Sequence, residues 1–204
     1  MATNRTRITA AELATKLQSD PRFVAQEKDR EQELNERAAQ FNADEERLVL
    51  ELRNAGYGVK SVWDLVNTVQ KYESAIPILL RHLKLPHLDR TKEGIARALA
   101  VPEARKDWRI LADEYRKSAS TQEDAARLGA KDGLAVALSA IADDTTINEL
   151  LELAKDRRNG ASRILLLSAI RKSKSELAAN TLDELAADPE LSDEIASWRK
   201  TGRK

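Results

Sequence analysis

Few side chains in this chain have both the type and the spacing for chemistry. His82 and His87 stand five residues apart around a predicted interhelix turn. A tetrahedral zinc site would need two further ligands, and the local choices are Glu73 and Asp89, so the pair is read as surface or packing histidines and no metal is assigned. The chain has no cysteine, which removes disulfides, thiolate metal sites and cysteine nucleophiles together. Gly56-Tyr57-Gly58 followed by Lys60-Ser61 lacks the adjacent Gly-Lys-Ser/Thr and the preceding apolar strand of a phosphate loop. No Ser-His-Asp order stands out, and the carboxylates form no evident acid/base pair. The sequence therefore assigns no catalytic residue and no cofactor.

Basic residues at recurrent positions are the stronger signal. Lys92, Lys131 and Arg163 each precede by six residues an Ala followed by Leu or Ile: Ala98-Leu99, Ala137-Leu138 and Ala169-Ile170. The intervals between the three are 39 and 32 residues, the spacing of a stacked helix-pair array, and such arrays bind more often than they catalyse. At ~100° per residue, Lys92, Ile95 and Leu99 share a helix face, as do Lys131, Leu134 and Leu138, and Arg163, Leu166 and Ile170. The trio starts on the side that packs into neighbours, which makes it a structural ladder. Partner contacts are expected off that stripe, at Arg90, Arg97, Arg127 and Arg171, and at Arg157 and Arg158 within a basic run over 155–174. That run carries seven basic residues against one acidic, and 175–195 carries acidic charges only.

The elements that must hold these residues are helices. A third of the 204 residues are charged, formal net charge is zero, and there are seven glycines and five prolines, a profile of a mostly helical protein. β-branched alternation is almost absent, so strands are not needed. No run of about 18 apolar residues exists to span a membrane, and Met1–Ile8 lacks the apolar region of a secretory signal; the expected location is cytoplasmic. Residues 1–8 are read as disordered and 9–70 as an N-terminal helical segment. Within it, Thr9-Ala10-Ala11-Glu12 is a capping box, and Asp20-Pro21 opens a long helix over 21–55. Leu34, Ala38, Phe41, Leu48 and Leu52 form its stripe, at spacings of 4, 3, 7 and 4, while 26–33 is polar all round. Gly56 ends it, and Ser61-Val62-Trp63-Asp64 is a second capping box. Four helix pairs follow: 72–84 with 89–100, 103–117 with 121–142, 146–158 with 161–172, and 175–187 with 189–200.

The phrases Asp89-Arg90-Thr91-Lys92-Glu93-Gly94-Ile95-Ala96-Arg97-Ala98-Leu99 and Ser162-Arg163-Ile164-Leu165-Leu166-Leu167-Ser168-Ala169-Ile170 resemble the second helix of HEAT repeats. The resemblance covers residues 72–200; two of the repeats lack the usual interhelix Pro, and the fourth has no basic-plus-Ala phrase. It implies a short right-handed α-solenoid of HEAT-like hairpins with the second helices lining the concave face, and with the long N-terminal helix read above the expected fold is all-α. It also implies that the basic trio joins a ladder between repeats, with Asp89, Asp124 or Asp156 as partners.

The expected function is a non-catalytic protein-binding scaffold of adaptor, assembly or inhibitor/immunity type, the long helix offering a route to a homodimer. The rival is nucleic-acid binding. Some HEAT-like solenoids are DNA glycosylases, and Trp108 with Asp113 is the one local pair that could play the parts of the lesion-site residues. Balanced charge counts against it.

Overall fold

The structure, a computed structural model, describes residues 9–119 and 129–201. Helix is the regular secondary structure of these residues, with no strand among them. Arg127, Asp124 and the first part of the helix expected over 121–142 lie outside the described residues. The chain forms two compact units, Met1–Ala43 and Asp44–Lys204.

In the first unit, α1 (Ala10–Gln18) opens on a complete capping box. Thr9 Oγ1 accepts the Glu12 amide at 3.3 Å, and Glu12 Oε2 accepts the Thr9 amide at 2.8 Å. Two otherwise orphaned donors are thereby satisfied at an exposed helix end. Asp20 Oδ1 accepts the Arg22 amide at 2.9 Å and Pro21 begins α2 (Pro21–Asn54). None of the described residues of this unit is buried. Leu13, Val24 and Leu34 are 43%, 48% and 57% exposed, so the stripe read from the sequence covers no core here.

The second unit holds the core. Leu48 and Leu52 of α2 are fully buried, and each contributes about 1.5–3 kcal/mol by leaving water. Beyond α2 the chain turns at Gly56, whose φ of +93° is a left-handed conformation that a side chain disfavours. The Tyr57 amide closes the turn on the Leu52 carbonyl at 3.1 Å. Then come α3 (Trp63–Val66), α4 (Ile76–Leu83), α5 (Asp89–Ala98), α6 (Trp108–Lys117), α7 (Ala130–Ile141), α8 (Ile147–Lys155), α9 (Arg163–Lys172), α10 (Glu176–Leu185) and α11 (Ser192–Thr201). Short 3-10 turns at Glu73–Ala75, Pro102–Asp107 and Arg157–Ser162 lead into α4, α6 and α9. They account for the later starts of these helices relative to the sequence expectation.

Neighbouring helices pack as α4 on α5, α6 on α7 and α8 on α9, while α5, α7 and α9 lie side by side in that order. Small residues set the closest approach. A Cβ on Gly133 would stand 2.8 Å from the Glu93 carbonyl oxygen of α5, and one on Gly94 would stand 2.7 Å from Val62 Cγ1 and 2.8 Å from Trp63 Nε1. Side-chain links then fix the neighbours. Asp89 Oδ1 accepts the Ala130 amide at 3.1 Å, capping α7 from α5, and the Tyr115 hydroxyl lies 2.8 Å from Ser162 Oγ.

The junction before α3 differs from the capping box read there. Asp64 Oδ2 does reach back to the Ser61 amide at 3.1 Å, but Ser61 Oγ donates at 3.0 Å to Glu45 of α2. Glu45 also accepts the Val62 amide at 3.1 Å, and it is buried.

Candidate functional site

The basic trio falls into three different environments. Lys92, in the first turn of α5, is half-buried. Lys131, in the first turn of α7, is 4% exposed. Its ammonium donates to the Ser118 carbonyl at 2.9 Å and sits 5.0 Å from the centre of the Tyr115 ring. Burial pulls its pKa down, opposed by the charges of Asp156 and Asp132. The same burial pushes the Tyr115 hydroxyl up to about 12.

Arg163 opens α9 and is 1% exposed. Its Nε donates to the Gly160 carbonyl at 3.0 Å, Nη1 to the Ala154 carbonyl at 3.3 Å and to Asp188 Oδ2 at 2.9 Å, and Nη2 to Glu190. Burial works against its charge, but the two carboxylates outweigh it and raise the pKa. In return, the hydrogen bond from Arg163 holds the Asp188 carboxyl below its ordinary value. Gly160 makes this possible: its φ of +61° bends the chain between α8 and α9 so that its carbonyl meets the guanidinium.

Of the arginines expected to touch a partner, the five among the described residues, Arg90, Arg97, Arg157, Arg158 and Arg171, are engaged within the chain. Arg90 lies over the Trp63 ring at 4.3 Å and Arg171 over the Trp198 ring at 4.8 Å. Arg97 Nε donates to Glu93 Oε1 at 2.8 Å. Arg157 Nε is 3.3 Å from Asp188 Oδ2, and Arg158 donates through Nε and Nη2 to Asp156 at 2.9 and 2.7 Å. Arg157 and Arg158 remain 75% and 90% exposed, so these surface pairs restrain them little. Asp156 is held down to about 2, chiefly by the Arg158 hydrogen bond.

Beside Arg97 a cleft of about 380 Å³ opens, bordered by Val66, Val69, Tyr72, Ile76, Val101 and Val136. Val69 at its lip is fully exposed. The Tyr72 hydroxyl donates inward to the Ala98 carbonyl at 3.0 Å, and Lys71 and Glu103 pair across 3.7 Å. The lining mixes these apolar side chains with Thr68, Gln70, Lys71, Glu73, Arg97 and Glu103, so it offers both apolar contact and polar anchors to a partner side chain.

Comparison with family models, with curated proteins and with solved structures finds no match. The geometry therefore carries the functional reading alone.

Trp108 and Asp113 are not brought together. Trp108 is buried and donates from Nε1 to Glu149 Oε2 at 2.6 Å, whereas Asp113 is exposed and pairs with Arg116 at 3.3 Å. The histidines likewise have partners other than Glu73 and Asp89. His82 Nε2 is 3.1 Å from Glu51 Oε2, His87 Nδ1 is 3.3 Å from Asp44 Oδ2, and the two rings meet each other. Among the described residues no group of three or more His, Asp or Glu side chains is placed to hold a metal ion. No described helix is long and apolar enough to cross a membrane.

Glu45, Glu51, Asp188 and Glu190 were not singled out in the sequence. Glu45 had a signal: it stands at the missing step of the stripe, midway through the seven-residue gap from Phe41 to Leu48.

Proposed function

We propose that this chain is a non-catalytic protein-binding module of adaptor, assembly or inhibitor/immunity type, built in residues 72–200 as a short right-handed solenoid of HEAT-like hairpins and acting in the cytoplasm. Its partner docks on the face offered by α5, α7 and α9. The observation that carries this reading is the side-by-side order of α5, α7 and α9, together with a cleft to which α5 contributes Arg97 and α7 contributes Val136. Internal use of Lys131 and Arg163 supports it further, because charges spent on packing are withdrawn from an anionic ligand.

A second reading, self-association through the first part of α2, is favoured by the absence of any buried residue among the described positions of Met1–Ala43. Nucleic-acid binding, the rival reading, would centre on the basic run over 155–174, and the zero net charge of the chain counts against it because such proteins usually carry a basic excess.

Affinity capture from the native cell, comparing the natural chain with Val69→Glu and Val136→Glu, tests the first reading. Proteins held by the natural chain and released by both folded variants support it. Retention of DNA or RNA that falls steeply between low and physiological salt overturns it in favour of a nucleic-acid ligand.

A further inference from the structure

His82, in α4, is completely buried, and the His87 side chain, in the turn after α4, is 9% exposed. Nδ1 of His82 and Nε2 of His87 are 2.9 Å apart, and the ring centres are 5.2 Å apart with 24° between the planes. The centre separation exceeds the nitrogen separation by about one ring width. The two nitrogens therefore lie on the line of centres, and the rings meet edge to edge in a straight N···N contact of hydrogen-bond length.

Each outer nitrogen faces a carboxylate of α2: His82 Nε2 faces Glu51 and His87 Nδ1 faces Asp44. Asp44 also accepts the Leu88 amide at 3.0 Å. Burial works against the Glu51 charge, but Arg81, His82 and Arg47 hold its carboxyl down at about 2. The charged groups around the pair are thus Asp44, Arg47 and Glu51 from α2 and Arg81 from α4.

Protons can be counted across this chain of contacts. Glu51 to His82, His82 to His87 and His87 to Asp44 are three contacts, and each needs one proton between its two heavy atoms. Two neutral imidazoles bring two. If both point them at the carboxylates, two lone pairs collide at the N···N contact; if one points inward, a lone pair faces a carboxylate. Two imidazolium rings would set N–H against N–H. One imidazolium beside one neutral ring fills all three contacts.

We propose that the His82–His87 pair holds one proton beyond two neutral rings and serves as a pH-limited clasp fastening the Asp44–Asn54 stretch of α2 to α4 and the turn after it. The clasp is closed in the middle of the pH range and weakens on both sides. Rising pH removes the shared proton and sets a lone pair against a carboxylate or another lone pair. Falling pH forces a second proton onto the pair. Burial works against a charge on the His82 ring, pulling its pKa below the ordinary 6.5 ahead of the opposing pull of Glu51.

The test is imidazole nitrogen NMR of the full natural chain between about pH 5 and 9, with urea unfolding at each pH and a parallel sample treated with chelator. The expected spectrum near neutrality shows three protons on the four ring nitrogens, with a bell-shaped unfolding midpoint whose alkaline limb disappears in His87→Gln. Two singly protonated rings at neutral pH, with a flat stability profile, overturn the proposal. So does a spectrum that changes on chelation, which would place a metal ion in the gap. The NMR count on the natural chain stands even if His87→Gln does not fold.

Discussion

Arg163 and Asp188, 25 residues apart in sequence, meet in the interior at 2.9 Å with 1% and 8% of their side chains exposed. Removing one member of a buried pair strands the other, at a usual cost of about 3–5 kcal/mol. Arg157 also lies 3.3 Å from the Asp188 carboxylate and offsets part of that loss. Arg163→Ala is therefore expected at the low end, about 3 kcal/mol, with partner affinity per folded molecule unchanged. Urea unfolding and a binding titration check this; a stable variant that no longer binds would make Arg163 a ligand contact instead.

Acid should loosen the second unit through its carboxylates. Glu51 and Asp156 are held at about 2 against ordinary values of 4.5 and 3.8, and Asp188 is also lowered. The unfolded chain then binds protons that the folded one refuses, so this stability is present above the ordinary values and is lost as pH falls through them toward 2. His82, with its depressed pKa, adds an earlier loss that begins as pH drops below 6.5. Unfolding free energy measured across the acid range should fall in that order, and a profile level down to about pH 3 would contradict it.

Gly133→Ala places a methyl 2.8 Å from a backbone oxygen and 3.1 Å from Ala96 Cβ, neither of which can swing away. The expected cost is about 1–3 kcal/mol. Gly58→Ala meets nothing within 4 Å and serves as the control. It should be neutral or stabilising by about 0.4–1 kcal/mol, through the unfolded chain. Thermal unfolding of both chains decides the matter, and equal midpoints would show that α5 and α7 can move apart freely.

Glu45→Ala leaves the buried Val62 amide without its acceptor, which should cost about 1–3 kcal/mol. Glu45→Gln keeps a carbonyl oxygen in place and should recover most of the loss. If both substitutions behave alike in urea unfolding, the hydrogen bond to Val62 contributes nothing.

Helix type and order were legible because periodicity and caps are local: Thr9 with Glu12 and Asp20 with Pro21 stand where the sequence placed them. Partners were less legible, because a salt bridge depends on tertiary placement. Asp89, Asp124 and Asp156 were the candidates for the ladder. Asp89 instead caps α7, and the carboxylates that meet Arg163 are those of Asp188 and Glu190, which in sequence are two acids within an acidic run. Lys131 and Asp156 share the 25-residue offset of Arg163 and Asp188, a regularity visible only once one member of the series is seen in contact. The histidine pair was legible as proximity and not as geometry, since nothing local in Glu51 or Asp44 announces that these residues, 31 positions before His82 and 43 before His87, will face the rings.

Pro21–Asn54 is one helix by its backbone, yet its apolar burial is confined to the stretch after Ala43. Amide hydrogens along a helix exchange with solvent at the cost of the cheapest opening that frees them. Those of residues 25–40 need only local fraying, whereas those near Leu48 and Leu52 need the core to open. Deuterium uptake should thus change abruptly partway along an unbroken element, so that its two ends report two different free energies.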